Sequence, residues 1–382
     1  MLLVVLAAAT PLALRTPKGL ALLESLVDGL PAGRLGRIEA QGLSGDPLGG
    51  FALRRLAIRD QKGVWIEVRV IRMNWNPLSL AGREILVSSA TAEEVRVLRR
   101  PVLGPARPHL RLPVTVTISR LTANVESEPA FSTRRGAFRV SGELQLRRDD
   151  GGVSSRLGAE SLLHAGDHLS LDIDLGPDRP LKVRLEALEA QGGALAGAAG
   201  VAPDKAFRLS VAADGKVDQG RLRADLNSGE TQPVAIEGGW NPSGGNLTGQ
   251  VDLSASTWTR PLAERLGRQL QLTGSARGEA VRRGAGRGRY EVDLTFIADA
   301  ARATVRGPVD LEASQTGAAG LQVNLSAPSL SRILASEGLG AANLTGRLEG
   351  GVDAWRFAGD AEVRDLTVEG YTLARMGGPV SL

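Results

Sequence analysis

The residues best equipped for chemistry in this 382-residue chain are few and scattered. His164 and His168 lie four apart, a spacing that on a helix would bring two imidazoles to one metal ion. They stand, however, in LLHAGDHLSLDIDL, where Gly166 and Asp167 read as a turn and His168 opens a strand, so a solvated hairpin is expected. Asp172 and Asp174 point outward from one strand, and Glu93 and Glu94 are adjacent, so neither acid pair converges on a pocket for acid-base work. The run RRGAGRGR from Arg282 lacks the Lys-Ser/Thr ending of a phosphate loop, and neither a Ser-His-Asp order nor a dinucleotide fingerprint occurs. With no Cys, thiol catalysis, Cys-based zinc sites and iron-sulfur clusters are excluded. The expectation is a protein that is not an enzyme and carries no metal and no cofactor.

What remains is scaffold, and its composition is unusual. Hydrophobic residues make up 42%, enough for a core, yet aromatics are 3% and Gly numbers 48, so the apolar supply is aliphatic and the fold thinly packed or elongated. The formal net charge is +4, the basic residues are 41 Arg and 5 Lys, and no basic run reaches five. Scarce aromatics leave nothing to stack bases on, and a nucleic acid partner is not expected.

From about residue 33 onward the hydrophobic period is two. Val64, Ile66, Val68 and Val70 alternate with Trp65, Glu67 and Arg69; in HLRLPVTVTISRLTANV, Leu110, Leu112, Val114, Val116 and Ile118 share a face. Leu169, Leu171, Ile173 and Leu175 do the same against Ser170, Asp172 and Asp174, and comparable stretches continue to Leu325. These read as half-buried antiparallel strands punctuated by DG, GG and NPSGG turns. The triplet LTG recurs at Leu247, Leu272 and Leu344, with short helix candidates TRPLAERLG and APSLSRILASEG ahead of the second and third. A unit of about seventy residues, several hairpins plus a short helix, is predicted to repeat.

The N-terminus differs. Residues 1–15 are apolar up to Arg15, led by Leu2, Leu3, Val4, Val5 and Leu6, too short to span the ~20 residues a bilayer requires and without a basic stretch before them. They read as part of an uncleaved transmembrane signal anchor. Residues 16–32 follow as an amphipathic helix, with Thr16 able to cap, Pro17 suited to the first turn, and Leu20, Leu23, Leu26, Val27 and Leu30 at helical spacing.

An array of strands with one apolar face must hide that face. A sandwich would supply large interdigitating residues and a transmembrane barrel would show aromatic girdles, and 2 Tyr with 5 Trp provide neither. The remaining solution is a single long sheet bent into a trough whose aliphatic interior is covered partly by lipid tails, each buried CH₂ being worth about 0.8 kcal/mol. Val64, Ile66, Val68, Val70, Leu110, Leu112, Val114, Val116, Ile118, Leu169, Leu171 and Ile173 are the candidates for contact with acyl chains. Roughly two dozen strands at about 4.8 Å each would reach on the order of 100 Å.

Several motifs carry a family likeness: GRLGRIEAQGLSGDPLG at Gly33 to Gly49, the GVWIEV strand after Asp60, the W-NPLSL segment at Trp75, and PVTVTISRL. Over residues 19–125 the chain resembles the N-terminal part of the TamB family, the inner-membrane subunits of the translocation and assembly module of Gram-negative bacteria, akin to AsmA-like and bridge-type lipid transfer proteins. The resemblance implies a mainly β, taco-shaped, largely antiparallel sheet with a hydrophobic interior groove, lying in the periplasm on a single-pass inner-membrane anchor. The division expected is 1–15 anchor, 16–32 helix, 33–195 first β-groove segment and 196–382 a repetitive segment continuing beyond this chain. The function implied is carriage of phospholipid toward the outer membrane, with assembly of outer-membrane proteins or protein secretion as the alternative and a β-repeat adhesin as a further one. A TamA-like outer-membrane barrel would be the partner, engaged through a C-terminal region that this chain, ending in GGPVSL, does not include.

Overall fold

The computed structural model describes residues 16–46, 48–104, 114–149, 151–176, 179–216, 218–278, 288–310, 313–351, 354–368 and 371–382. The chain is mainly β with few, short helices, as the periodicity predicts, and it divides into two compact units, Met1–Leu209 and Ser210–Leu382. Residues 1–15, read as the anchor with Leu2, Leu3, Val4, Val5 and Leu6, lie outside the described residues. Among the described residues no helix is long and apolar enough to cross a membrane.

The first unit opens with helix α1 (Pro17–Val27). Pro17 takes the first turn, where its missing N–H costs nothing, and Thr16 Oγ1 accepts from the Gly19 N–H at 3.2 Å. The helix packs along the outer edge of strand β1 (Arg37–Gly45). There Glu24 Oε2 accepts from the Leu43 N–H (2.9 Å) and Asp28 Oδ1 from the Ala40 N–H (3.1 Å). The Gly29 N–H and Leu30 carbonyl complete the cover through Ile38. An edge whose donors would otherwise invite another strand is thereby occupied.

Eight strands follow: β2 (Gly50–Asp60), β3 (Gly63–Asn76), β4 (Glu84–Val97), β5 (Thr115–Ser127), β6 (Gly136–Leu146), β7 (Val153–Ser161), β8 (His168–Leu175) and β9 (Leu181–Glu189). Each pairs with its predecessor, antiparallel except that β5 runs parallel to β4. A parallel neighbour obliges the chain to return the length of a strand before pairing again. The start of that return, residues 98–104, is fastened to the β2–β3 turn by Asp60. Its carboxylate accepts from Arg99 Nη1 and Nη2 (2.8 and 2.5 Å) and from the Lys62 and Val102 N–H groups (2.7 and 2.6 Å).

The strand read from His109 to Val125 is described only in part. Its described part is Thr115–Ser127, with Val114 just ahead of it, while Leu110 and Leu112 lie outside the described residues. Strands β1 to β4 share a second departure from simple alternation. At one level across the sheet, Gly42 (φ 76°) and Val70 (φ 50°) adopt left-handed backbone and β4 carries a bulge after Ala92. The break shifts which residues face which side.

Short helices occupy one set of strand ends. In the first unit α2 (Pro129–Ser132) joins β5 to β6, and α3 (Ala194–Ala198) follows β9. They pack together, Gly197 lying so close to the Ser132 carbonyl that a Cβ would collide with it.

Strand β10 (Phe207–Lys216) runs across the division of the chain. The second unit then carries β11 (Gln219–Ser228), β12 (Thr231–Asn241), β13 (Gly244–Asp252), β14 (Gln269–Gly278), β15 (Arg289–Ala298), β16 (Arg302–Asp310), β17 (Gln315–Thr316), β18 (Leu321–Ala327), β19 (Ala342–Gly351), β20 (Ala354–Val368) and β21 (Tyr371–Ser381). Pairing from β11 to β21 is antiparallel throughout, the short β17 and the longer β18 both lying between β16 and β19. Helix α4 (Arg260–Leu266) joins β13 to β14, and α5 (Leu330–Leu334) joins β18 to β19. Helices α2 to α5 begin at Pro129, Ala194, Arg260 and Leu330, about 65–70 residues apart.

The LTG triplets take two different places in this scheme. Those at Leu272 and Leu344 open the strands that follow α4 and α5, the equivalence the sequence suggests. The one at Leu247 is instead the antiparallel partner of the one at Leu272, with Leu247 opposite Gly274, Thr248 opposite Thr273 and Gly249 opposite Leu272.

Candidate functional site

Side chains opposite one another in a ladder share a face, so the register alone assigns each residue to one side. In the first unit this produces long, predominantly apolar rows without a charged side chain. Leu43, Leu53, Ile71, Ala92, Ala123, Val140, Ala159, Leu169 and Ala187 are aligned from β1 to β9. The next row is Gly45, Phe51, Met73, Ala90, Leu121, Gly142, Leu157, Leu171 and Leu185. Beyond it run Trp75, Val87, Ile118, Leu144, Ser155, Ile173 and Val183. Most of these side chains are half-buried, as expected of a face that neighbouring rungs cover only from the side.

The opposite face is charged, and several of its charges are paired across the ladder. Arg55 bonds Glu67 at 2.6 Å, Arg156 bonds Glu143 at 3.0 Å, and Lys182 pairs with Asp172. The Arg55 hydrogen bond holds the Glu67 carboxyl below its ordinary range, and Lys182 does the same for Asp172. Asp172 is therefore half of a surface ion pair, and Asp174 lies on the same side, opposite Ser154 and Lys182. His168 opens β8 with Nδ1 2.9 Å from the Gly166 carbonyl oxygen, and the turn before it closes through Ser161 and His164. Among the described residues no group of three His, Cys, Asp or Glu is placed to hold a metal ion.

Of the twelve lining candidates, Ile66, Val68, Val116, Ile118, Leu169, Leu171 and Ile173 stand in the apolar rows. Val114 precedes the ladder, and Leu110 and Leu112 are outside the described residues. Val64 and Val70 leave the rows. A bulge at Trp65 pairs Val64 with Arg59, out of line with Ile66, and Val70 sits at the left-handed break between the rungs of Arg69 and Ile71. Beyond that break the apolar face passes from even to odd residues of β3, so Ile71, Met73 and Trp75 line it where strict alternation points elsewhere. Leu53 is hidden by the same break, and Leu121 and Ala123 by a separate bulge after Ile118 in β5.

The second unit repeats the pattern with smaller residues. One row reads Leu222, Gly238, Leu247, Gly274, Leu294, Val305, Val323, Gly346, Gly359 and Val380. Large side chains lean onto neighbouring glycines: a Cβ at Gly346 would meet the Phe357 ring, and one at Gly220 the Trp240 ring. Such leaning keeps the floor apolar and low in relief, and it accounts for much Gly alongside few rings.

At the helix-bearing ends the apolar rows of the first unit become fully buried. Ala194 of α3 stands against Gly136, and Phe138, Ala187, Ala196 and Phe207 are each less than 9% exposed. Glu189 continues the apolar side of β9 two residues beyond Ala187, and it is 2% exposed. Its Oε1 and Oε2 accept from the Leu195 and Ala196 N–H groups at 2.9 and 2.8 Å. Burial raises the Glu189 carboxyl above its ordinary range despite those bonds, and the nearby Asp167 carboxylate adds to the rise. Asp167 in turn accepts from the Ala190 N–H at 2.8 Å. At the other end of α3, Arg100 Nη2 donates to the Gly197 and Ala198 carbonyls (3.2 and 3.0 Å), with its guanidinium 5.6 Å from the Phe131 ring centre.

No family model, curated protein or solved structure matches this chain.

Proposed function

We propose that the protein carries phospholipid with the acyl tails against its apolar face, as a TamB-like component of an envelope-spanning transport system. The observation that carries this reading is the set of rows of the first unit, two of them nine strands long, predominantly apolar and free of charged side chains. Half-buried Leu, Val and Ile surface of that extent is costly in water at about 25 cal/mol per Å², and acyl chains remove the cost without demanding any particular side-chain geometry. No single residue is then indispensable.

A curved, groove-shaped sheet, an inner-membrane anchor at the N-terminus, periplasmic exposure and a TamA-like outer-membrane barrel as partner belong to the same proposal and rest on the family resemblance. The alternative, templating of nascent outer-membrane strands, needs an open sheet edge, and at β1 the outer donors are taken by Glu24 and Asp28. That occupancy favours lipid carriage for the first unit.

Leu121 and Leu171 lie in one row, three strands apart. The double substitution Leu121→Asp, Leu171→Asp is expected to abolish the phospholipid that co-purifies with the protein, measured by mass spectrometry of organic extracts. Ser154→Asp with Ser170→Asp, on the charged face, should leave it unchanged, and far-UV circular dichroism checks that both variants keep their strands. Undiminished phospholipid in a folded Leu121→Asp, Leu171→Asp variant would remove the basis of the reading.

A further inference from the structure

The apolar rows of the first unit are not equivalent at their two ends. Where β7 ends and β8 begins, the α2–α3 pair rises on the apolar side, held there by the bonds from Leu195 and Ala196 to Glu189 and by the contact of Ala194 with Gly136. Ala196 is 0% exposed and Phe207 2%, so this end is packed shut. The other end of the same strands, at Val153, Leu175 and Leu181, keeps half-exposed side chains.

We infer that a phospholipid lies along the strands of this unit with its acyl termini against the α2–α3 barrier and its glycerol-phosphate end toward Val153 and Val183. The inference rests on the lipid-carrying reading of the apolar face and adds polarity to it. Dimensions permit it: nine residues of β7 extend roughly 30 Å, while one leaflet's acyl chains occupy about half of a ~30 Å hydrocarbon core. A tail that starts at the barrier therefore ends well along the strand, and the headgroup reaches water without crossing packed helices. The reverse placement would bury an ionised phosphate beside Glu189 and Asp167, two carboxylates already withdrawn from solvent.

The absence of Cys makes the test direct. Ala159→Cys and Val153→Cys place single thiols on the apolar side of β7, near the barrier and far from it. Each is labelled with bimane and mixed with phosphatidylglycerol vesicles containing phospholipid that bears a nitroxide either at the tail end or on the headgroup. The tail nitroxide is expected to quench the label at position 159 more than at 153, and the headgroup nitroxide to show the opposite order. Equal quenching at both positions, or the inverse order, would overturn the polarity while leaving lipid carriage in place. If neither nitroxide quenches either position, lipid carriage fails first and the polarity with it.

Discussion

Asp60 and Arg99, 39 residues apart, form a two-pronged ion pair that ties the only parallel crossover among the described strands to the β2–β3 turn. The Asp60 side chain is 2% exposed, and Arg99 also donates to the Gly63 carbonyl at 2.7 Å. Removing one partner leaves the other short of solvent and of a counter-charge.

Asp60→Asn is accordingly expected to loosen residues 98–104 while the strands persist. Hydrogen exchange would report it as lost protection at the Val102 and Gly104 amides, whose acceptors are Asp60 Oδ2 and the Arg34 carbonyl. The Arg99 hydrogen bond holds the Asp60 carboxyl well below its ordinary range. For an acid so depressed, the contribution is present above the unfolded value of about 3.9 and is lost as pH falls through the folded one. Wild-type protection should therefore survive at pH 4 and fade only in stronger acid. Equal protection in Asp60→Asn and wild type at neutral pH would show that the clasp holds nothing.

Val70 is a β-branched residue at φ 50°, where left-handed backbone costs on the order of 1–3 kcal/mol. Val70→Gly should raise the unfolding free energy by about 1 kcal/mol in urea titration, the relief outweighing the flexibility glycine adds to the unfolded chain. Because Val70 stands outside the apolar rows, the same variant should, on the lipid-carrying proposal, co-purify with as much phospholipid as wild type. A lower urea midpoint would mean that the half-buried side chain matters more than the backbone.

Glu189 supplies a pH test of opposite sign. Its carboxyl titrates above the ordinary value because it is buried, with Asp167 beside it, so the folded state binds a proton more readily than the unfolded chain. Stability from this group is full below the unfolded value of about 4.3 and is lost as pH rises through the folded value. Between neutrality and about pH 4.3, wild-type protein should thus gain from Glu189 on acidification, and Glu189→Gln should lack that component of the profile. Parallel wild-type and Glu189→Gln stability curves across this interval would assign the pH response to other groups.

Fold class and the apolar side of β6 to β9 are legible because those strands alternate regularly between an apolar and a wet face. Leu169, Leu171 and Ile173 needed nothing more than period two. The apolar side of β1 to β5 is legible only in part, at residues such as Ile66 and Val68, since Gly42, Val70 and the bulges at Trp65, after Ala92 and after Ile118 each change the phase without leaving a pattern in composition. Helix α3 was missed for another reason. Its ALAGA sequence is too short and too small to show an amphipathic period, and it is held by long-range bonds from Glu189 and Arg100. The helices α4 and α5, with Leu262 and Leu266 or Leu330, Ile333 and Leu334, did carry that period.

The spacing of the short helices bears on how such a chain can change its length. Between α2 and α3 lie four strands, an even number, so the chain leaves the interval at the end of the sheet where it entered. Duplicating or deleting that whole interval adds or removes roughly 19 Å of sheet at ~4.8 Å per strand, with every remaining row still in line. Loss of one strand or three would instead strand the next helix at the wrong end, away from the carboxylate and guanidinium that hold it. A change of strand number in this interval is thus quantised by parity, in steps that leave the apolar rows in register.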